Sequence, residues 1–100
     1  MTFKVDRTPA VSRLIRELAE RAKARRIRES YLDALNQMMT HLTNRPLEWG
    51  DPEFNTQLPG GIVCHGIVWP VCVRFAVYEA QRIVVIFDLK PLPRTPLAEP

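Results

Sequence analysis

One stretch limits this chain more than any other. From Val71 to Leu89 the sequence twice alternates side chains, with Glu79, Ala80 and Gln81 between the two runs. In the first run Val71, Val73, Phe75 and Val77 share one face and Cys72, Arg74, Ala76 and Tyr78 the other, the period of a half-buried strand. The second sets Ile83, Val85, Phe87 and Leu89 against Arg82, Val84, Ile86, Asp88 and Lys90. Two such runs with a short link are a β-hairpin. Matching their apolar faces places Val77 opposite Ile83 and Phe75 opposite Val85, because a slip of one residue turns an arm inside out. Arg74 then lies opposite Ile86 and diagonal to Asp88, and Cys72 faces Asp88. Polar chemistry on the sheet is expected around Arg74, Tyr78, Arg82 and Asp88.

A hairpin with one apolar face needs a cover, and the first half of the chain supplies it. Phe3 and Val5 alternate with Lys4 and Asp6, the pattern of a short edge strand ended by Thr8-Pro9. Thr8 as N-cap and Pro9 in the first turn predict a helix from Pro9 to about Lys23. Its stripe is Val11, Leu14, Ile15, Leu18, Ala19 and Ala22. A second stripe, Ile27, Tyr31, Ala34, Leu35, Met38 and Leu42, is out of phase with it. At about 100° per residue Leu18 and Ala22 stay near Val11, whereas Ile27, Leu35 and Met38 fall roughly 160° to 240° away. One straight helix would need two cores, so the spacing predicts an αα-hairpin broken around Ala24 to Arg26, with a second helix from about Ile27 to Leu42.

Beyond it, Thr43 to Gly61 is rich in Asn, Pro, Gly and Asp and reads as a long loop, pinned to the body by Trp49, Phe54 and Leu58. Ile62 to Trp69 reads as a strand turning at Pro70 into the hairpin. After Lys90 the prolines at 91, 93 and 96 deny the ladder its donors, and an extended or disordered tail is expected. The organisation is one domain over residues 1–92 and a Pro-rich tail over 93–100.

The chain's 100 residues, 46% of them hydrophobic, suit a folded domain with its own core. No apolar run reaches the roughly 20 residues of a membrane span, and the first ten residues lack the apolar core of a signal peptide, so the expected location is the cytoplasm. With a tight turn at Trp69-Pro70, Cys64 points to the Phe75 face and Cys72 to the Arg74 face, so the two thiols do not meet. Cys64, Cys72, His41 and His65 have no metal-binding spacing, and no zinc site or cofactor is expected. Residues 1–30 carry nine Lys or Arg against four acids, while residues 31–100 carry five against seven. The basic charge, including Arg21, Arg25, Arg26 and Arg28 at the helix corner, invites an anionic partner, nucleic acid or acidic protein, and would also be met in a merely solvated helix face.

The order β, α, α and then three antiparallel strands resembles the RelE/ParE toxin superfamily of type II toxin–antitoxin systems. The local carriers are Asn44-Arg45-Pro46-Leu47-Glu48-Trp49-Gly50-Asp51-Pro52 after the second helix, Leu58-Pro59-Gly60-Gly61 before the next strand, and the two arms Val73 to Val77 and Arg82 to Ile86. The resemblance runs from Phe3 to about Leu92 and implies an α+β fold, an αα-hairpin packed on a small antiparallel sheet. It also implies a bacterial, cytoplasmic growth inhibitor, of the kind that stabilises plasmids, held by a cognate antitoxin as a heterodimer or heterotetramer. Its target would be either DNA gyrase, in the ParE branch, or messenger RNA on the ribosome, cut without a metal.

A nuclease of this fold needs cations at the phosphate and a group that moves protons. Arg74, Arg82, Lys90, Arg94, His65 and Tyr78 are the candidates. Each has a plainer reading: a cross-strand salt bridge to Asp88 for Arg74, a surface position for His65, packing for Tyr78. The sequence also departs from the nucleases of the superfamily. Cys72 stands where they carry an arginine, three residues before the aromatic of the third strand, and no Tyr or His follows Lys90. These departures favour a non-catalytic, ParE-like inhibitor acting through the basic corner, with a ribosome-dependent ribonuclease and a non-toxic domain of the same fold as the alternatives.

Overall fold

The computed structural model describes residues 2–98, and at positions 54–58 the backbone alone. In chain order it holds β1 (Lys4–Arg7), α1 (Pro9–Ala24), α2 (Arg28–Asn44), a one-turn α3 (Pro46–Trp49), β2 (Asp51–Leu58), β3 (Gly61–Val68), β4 (Val71–Tyr78) and β5 (Ile83–Pro91). The strands form one five-stranded sheet in the order β1-β5-β4-β3-β2, antiparallel throughout except for the parallel β1–β5 pair. This is the expected α+β architecture, with one strand more than the sequence reading gave.

The helices begin and end for visible reasons. The Thr8 hydroxyl accepts from the Val11 N–H at 3.2 Å and Pro9 occupies the first turn of α1, as the N-cap argument required. At the other end the Ile27 N–H donates to the Ala22 carbonyl at 2.9 Å and the Arg26 N–H to Lys23 at 3.2 Å, with Arg26 at φ 62°. That hydrogen-bond pair around a left-handed residue is a Schellman C-cap, and Ile27 packs against the core cluster that includes Ala22. Glycine is the usual occupant of that position. Here an arginine holds it at a cost of about 1–2 kcal/mol, which is why no glycine marked the break.

The core lies between the two helices and one face of the sheet. Val11, Leu18, Ala22, Tyr31, Ala34, Met38 and Leu42 from the helices meet Val71, Val73, Phe75, Val77, Val84, Ile86 and Leu89 from β4 and β5. Tyr31 is fully buried, and its hydroxyl donates to the Ile15 carbonyl at 2.7 Å, tying α2 to α1. Burial pushes its pKa up to about 12. From α3, Trp49 stacks between His41, 5.0 Å away, and Phe75, 5.9 Å away. Gly66 makes room for it, since a Cβ there would stand 2.4 Å from the indole ring.

Three expectations are corrected. Residues 43–61 are not a loop: α2 runs through Asn44, α3 follows, and β2 pairs with β3 at Asp51↔His65, Pro52↔Cys64, Gln57↔Ile62 and Leu58↔Gly61. Trp49 does pin this region to the body, whereas the Phe54 and Leu58 side chains lie outside the described residues. The β4–β5 register is shifted by one, with Val77↔Val84 and Phe75↔Ile86, so Val84 and Ile86 are buried and Ile83, Val85 and Phe87 are only half-buried on the outer face. All five residues from Ile83 to Phe87 are apolar, and alternation had no contrast with which to choose. An irregularity at Phe87 then returns Leu89 to the core and puts Asp88 directly opposite Arg74 and Lys90 opposite Cys72. Finally, the described part of the tail, residues 92–98, is not extended. The Leu92 N–H bonds to the Pro70 carbonyl, Thr95 Oγ1 donates to the Leu92 carbonyl at 2.7 Å, and Leu97 is fully buried in the same core as the helices.

Candidate functional site

The outer face of the sheet, away from the helices, gathers side chains from four positions in register. His65 on β3, Arg74 on β4 and Asp88 on β5 form one cross-strand row, and Asp51 on β2 lies beside His65. Ile67, Cys72 and Lys90 form the next row. Facing residues of neighbouring strands sit close enough to interact.

Arg74 does not pair with Asp88, as the sequence reading allowed. Its Nε donates to Glu53 Oε1 at 3.0 Å and a terminal nitrogen to Oε2 at 2.7 Å, a two-pronged bridge from β4 over β3 to β2. The Glu53 side chain is 22% exposed and that of Arg74 38%, so the pair is partly shielded. The guanidinium also lies 5.2 Å over the Phe87 ring. The hydrogen bond from Arg74 holds the Glu53 carboxyl below its ordinary range, and the same bond raises the Arg74 pKa. His65 stands between two carboxylates, with Nδ1 3.9 Å from Glu53 and Nε2 3.9 Å from Asp51. Lys90 has its own partner, Asp88, at 3.5 Å. Three carboxylates thus face two permanent cations and one histidine.

The structure brings together His65, Arg74 and, one row on, Lys90. It does not bring in the other three candidates. Tyr78 lies four residues along β4 from Arg74, about 13 Å away at strand spacing, with its ring over Gly61. Arg82 sits in the β4–β5 turn at φ 57° and stacks over Phe3 at 5.2 Å. Arg94 is exposed in the tail turn at φ 64°.

Glu53, the residue that organises this face, was absent from the candidates because its segment read as a loop. A signal was present. Asp51, Glu53, Asn55 and Gln57 alternate with Pro52, Phe54, Thr56 and Leu58, the period of a strand with one polar face. The two cysteines fall as expected, Cys64 buried on the core face and Cys72 half-buried on the outer one, both thiols free and both pushed up in pKa mainly by burial.

The second cationic region is the α1–α2 corner. Lys23, Arg26 and Arg28 line a concavity there together with Ile27, Glu29 and Ser30. Among the described residues these three cations form no ion pair. Arg21, by contrast, donates to the Leu97 carbonyl at 3.1 Å and is committed to holding the tail. Arg25 is also engaged in an interaction of its own.

No protein-family model matches the chain, and no curated protein matches it. Among solved structures, a chain of the archaeal RelE–RelB complex from Pyrococcus horikoshii OT3 superposes on it with a TM-score of 0.60, over 95% of this chain and 100% of that one, at 17% sequence identity. Identity that low speaks to architecture alone. The expected αα-hairpin on a mostly antiparallel sheet is there, with β2 and α3 in addition, and the fold of this chain is RelE-like.

Proposed function

We propose that this chain is the toxin of a toxin–antitoxin module and that it acts by docking onto a macromolecular target through the α1–α2 corner. The antitoxin reading draws on the neighbour of the same fold, which was crystallised as a RelE–RelB complex. The observation that carries the docking reading is charge accounting on the sheet. A site that cleaves RNA must offer the phosphate cations that are free to meet it. On the outer face Arg74 is held by Glu53 and Lys90 by Asp88. Asp51 adds a third carboxylate 3.9 Å from His65. Such a surface does not attract a polyanion, whereas the corner does. Docking needs complementary charge and shape but no reacting group, and the gyrase-inhibiting branch of the resemblance asks for nothing more. Among the described residues no helix is long and apolar enough to cross a membrane, and the proposed site of action is the cytoplasm.

Induced expression, followed by a plasmid supercoiling assay and by mapping of messenger 5′ ends, tests this. Loss of supercoiling without new 5′ ends is expected. Codon-phased cuts with normal supercoiling would overturn it. A neighbouring reading frame encoding a small DNA-binding protein should co-purify with the chain, and recovery of the chain alone at low salt would count against an antitoxin.

One observation favours the ribonuclease alternative. Glu53, His65 and Arg74 are mutual neighbours, and a carboxylate, an imidazole and a guanidinium suffice for metal-independent RNA transesterification. Glu53 would take the 2′-hydroxyl proton, protonated His65 would give one to the leaving 5′-oxygen, and Arg74 would neutralise the phosphate. In that case Glu53→Gln abolishes cleavage while the protein stays folded. Under the docking reading Glu53→Gln remains as toxic as the parent.

A further inference from the structure

The corner concavity has a volume of about 290 Å³ and is lined by Lys23, Arg26, Ile27, Arg28, Glu29 and Ser30. Among the described residues three cations meet there against one carboxylate. Arg26 holds its place at φ 62°, a conformation that glycine would adopt without strain. The backbone there favours glycine, yet the position carries an exposed arginine. From this corner we infer a binding site for the phosphate backbone of duplex DNA.

The lining selects among anionic partners. An acidic amphipathic peptide needs an apolar pocket for its anchor side chains, and the only apolar residue in the lining, Ile27, is already packed against the core. Unpaired bases need aromatic faces to stack on, and the lining holds none. What remains is two planar guanidinium forks, one ammonium and the Ser30 hydroxyl, groups that serve phosphate oxygens well. A duplex presents phosphates in a fixed row without offering its bases, and such a surface matches it. Neutralising phosphates releases counterions, so binding must weaken steeply with salt.

The inference rests on the docking reading only for the choice of surface. Binding is measured on the purified full chain, with no requirement for toxicity, so either reading can fail alone. The experiment is fluorescence anisotropy of a labelled short duplex of arbitrary sequence, titrated with the chain between about 50 and 200 mM salt. The comparison is the triple variant Lys23→Gln, Arg26→Gly and Arg28→Gln, whose thermal unfolding should be no lower than that of the parent, because glycine suits position 26. The parent is expected to bind. The variant is expected to bind at least tenfold more weakly at the lowest salt, with a salt slope smaller by roughly 2 to 3. No binding by the parent, an unchanged slope in the variant, or equal displacement by polyglutamate or by single-stranded DNA would each overturn the assignment.

Discussion

The outer sheet face and the α1–α2 corner both carry cations, and they use them oppositely. On the sheet the charges are paired. Arg74 spans three strands to reach Glu53, and Lys90 turns to Asp88. At the corner Lys23, Arg26 and Arg28 converge on a concavity, and among the described residues no carboxylate pairs with them. The difference teaches that a cation is available to a partner only where the fold has not already spent it. It also separates what substitutions should do: on the sheet they cost stability, and at the corner they cost binding.

The largest expected effect comes from the sheet. Gly66→Ala places a methyl group 2.4 Å from the Trp49 ring and breaks the stack that runs from His41 through Trp49 to Phe75. Overpacking of that kind costs about 3 kcal/mol, and chemical denaturation would show it. A cost below about 1 kcal/mol would mean that Trp49 moves freely and that α3 is not anchored as described.

Next comes the helix pair that presents the corner. Tyr31→Phe removes the second hydrogen bond on the Ile15 carbonyl, which keeps its helical partner within α1, a loss of about 1 kcal/mol. The pH dependence sharpens the reading. The Tyr31 pKa is pushed up to about 12 from 10.0, so its contribution is fully present below pH 10 and is lost as pH rises toward 12. The Phe variant should lack that alkaline phase of unfolding.

Glu53→Gln tests the sheet pairing itself. A partly shielded, two-pronged bridge is worth about 1 kcal/mol near neutral pH. Arg74 depresses the Glu53 pKa below its ordinary 4.5, so this stability is present above pH 4.5 and is lost as pH falls through the lower, folded-state value. Melting curves of parent and variant should therefore converge in acid. If they stay parallel, Glu53 is not held by Arg74 in solution.

The smallest effect has the opposite sign. Arg26→Gly should stabilise the chain by about 0.5–1 kcal/mol through relief of the left-handed arginine while weakening any partner at the corner. A destabilised variant would mean that the Arg26 side chain supports the fold, and the contrast between the two regions would fail at its best-defined residue.

Much of this architecture was legible in the residues. Thr8-Pro9 announced α1, and the phase jump between Leu18 and Ile27 announced the break, since a helix cannot present two stripes to one core. Parity about Trp69-Pro70 separated the two cysteines. The misses share a cause, which is that periodicity informs only where polar and apolar residues contrast. From Ile83 to Phe87 there is no contrast, and the register slipped. In β2 the contrast existed but was overshadowed by Pro52 and the flanking glycines. Leu97 is buried among core residues far away in sequence, its carbonyl accepts from Arg21, and no local rule reaches it. For the site, the cations were visible and their partners were not, because pairing across strands depends on the very register that alternation left open.

On the proposed reading the sheet cations serve the fold and the toxic action lies elsewhere. Its most direct test is growth arrest on induction of Arg74→Ala, compared with the parent at matched expression and after melting has confirmed that the variant folds. Arrest as strong as that of the parent is the predicted result. Loss of arrest in a folded Arg74→Ala protein would contradict the claim and place the activity on the outer face of the sheet.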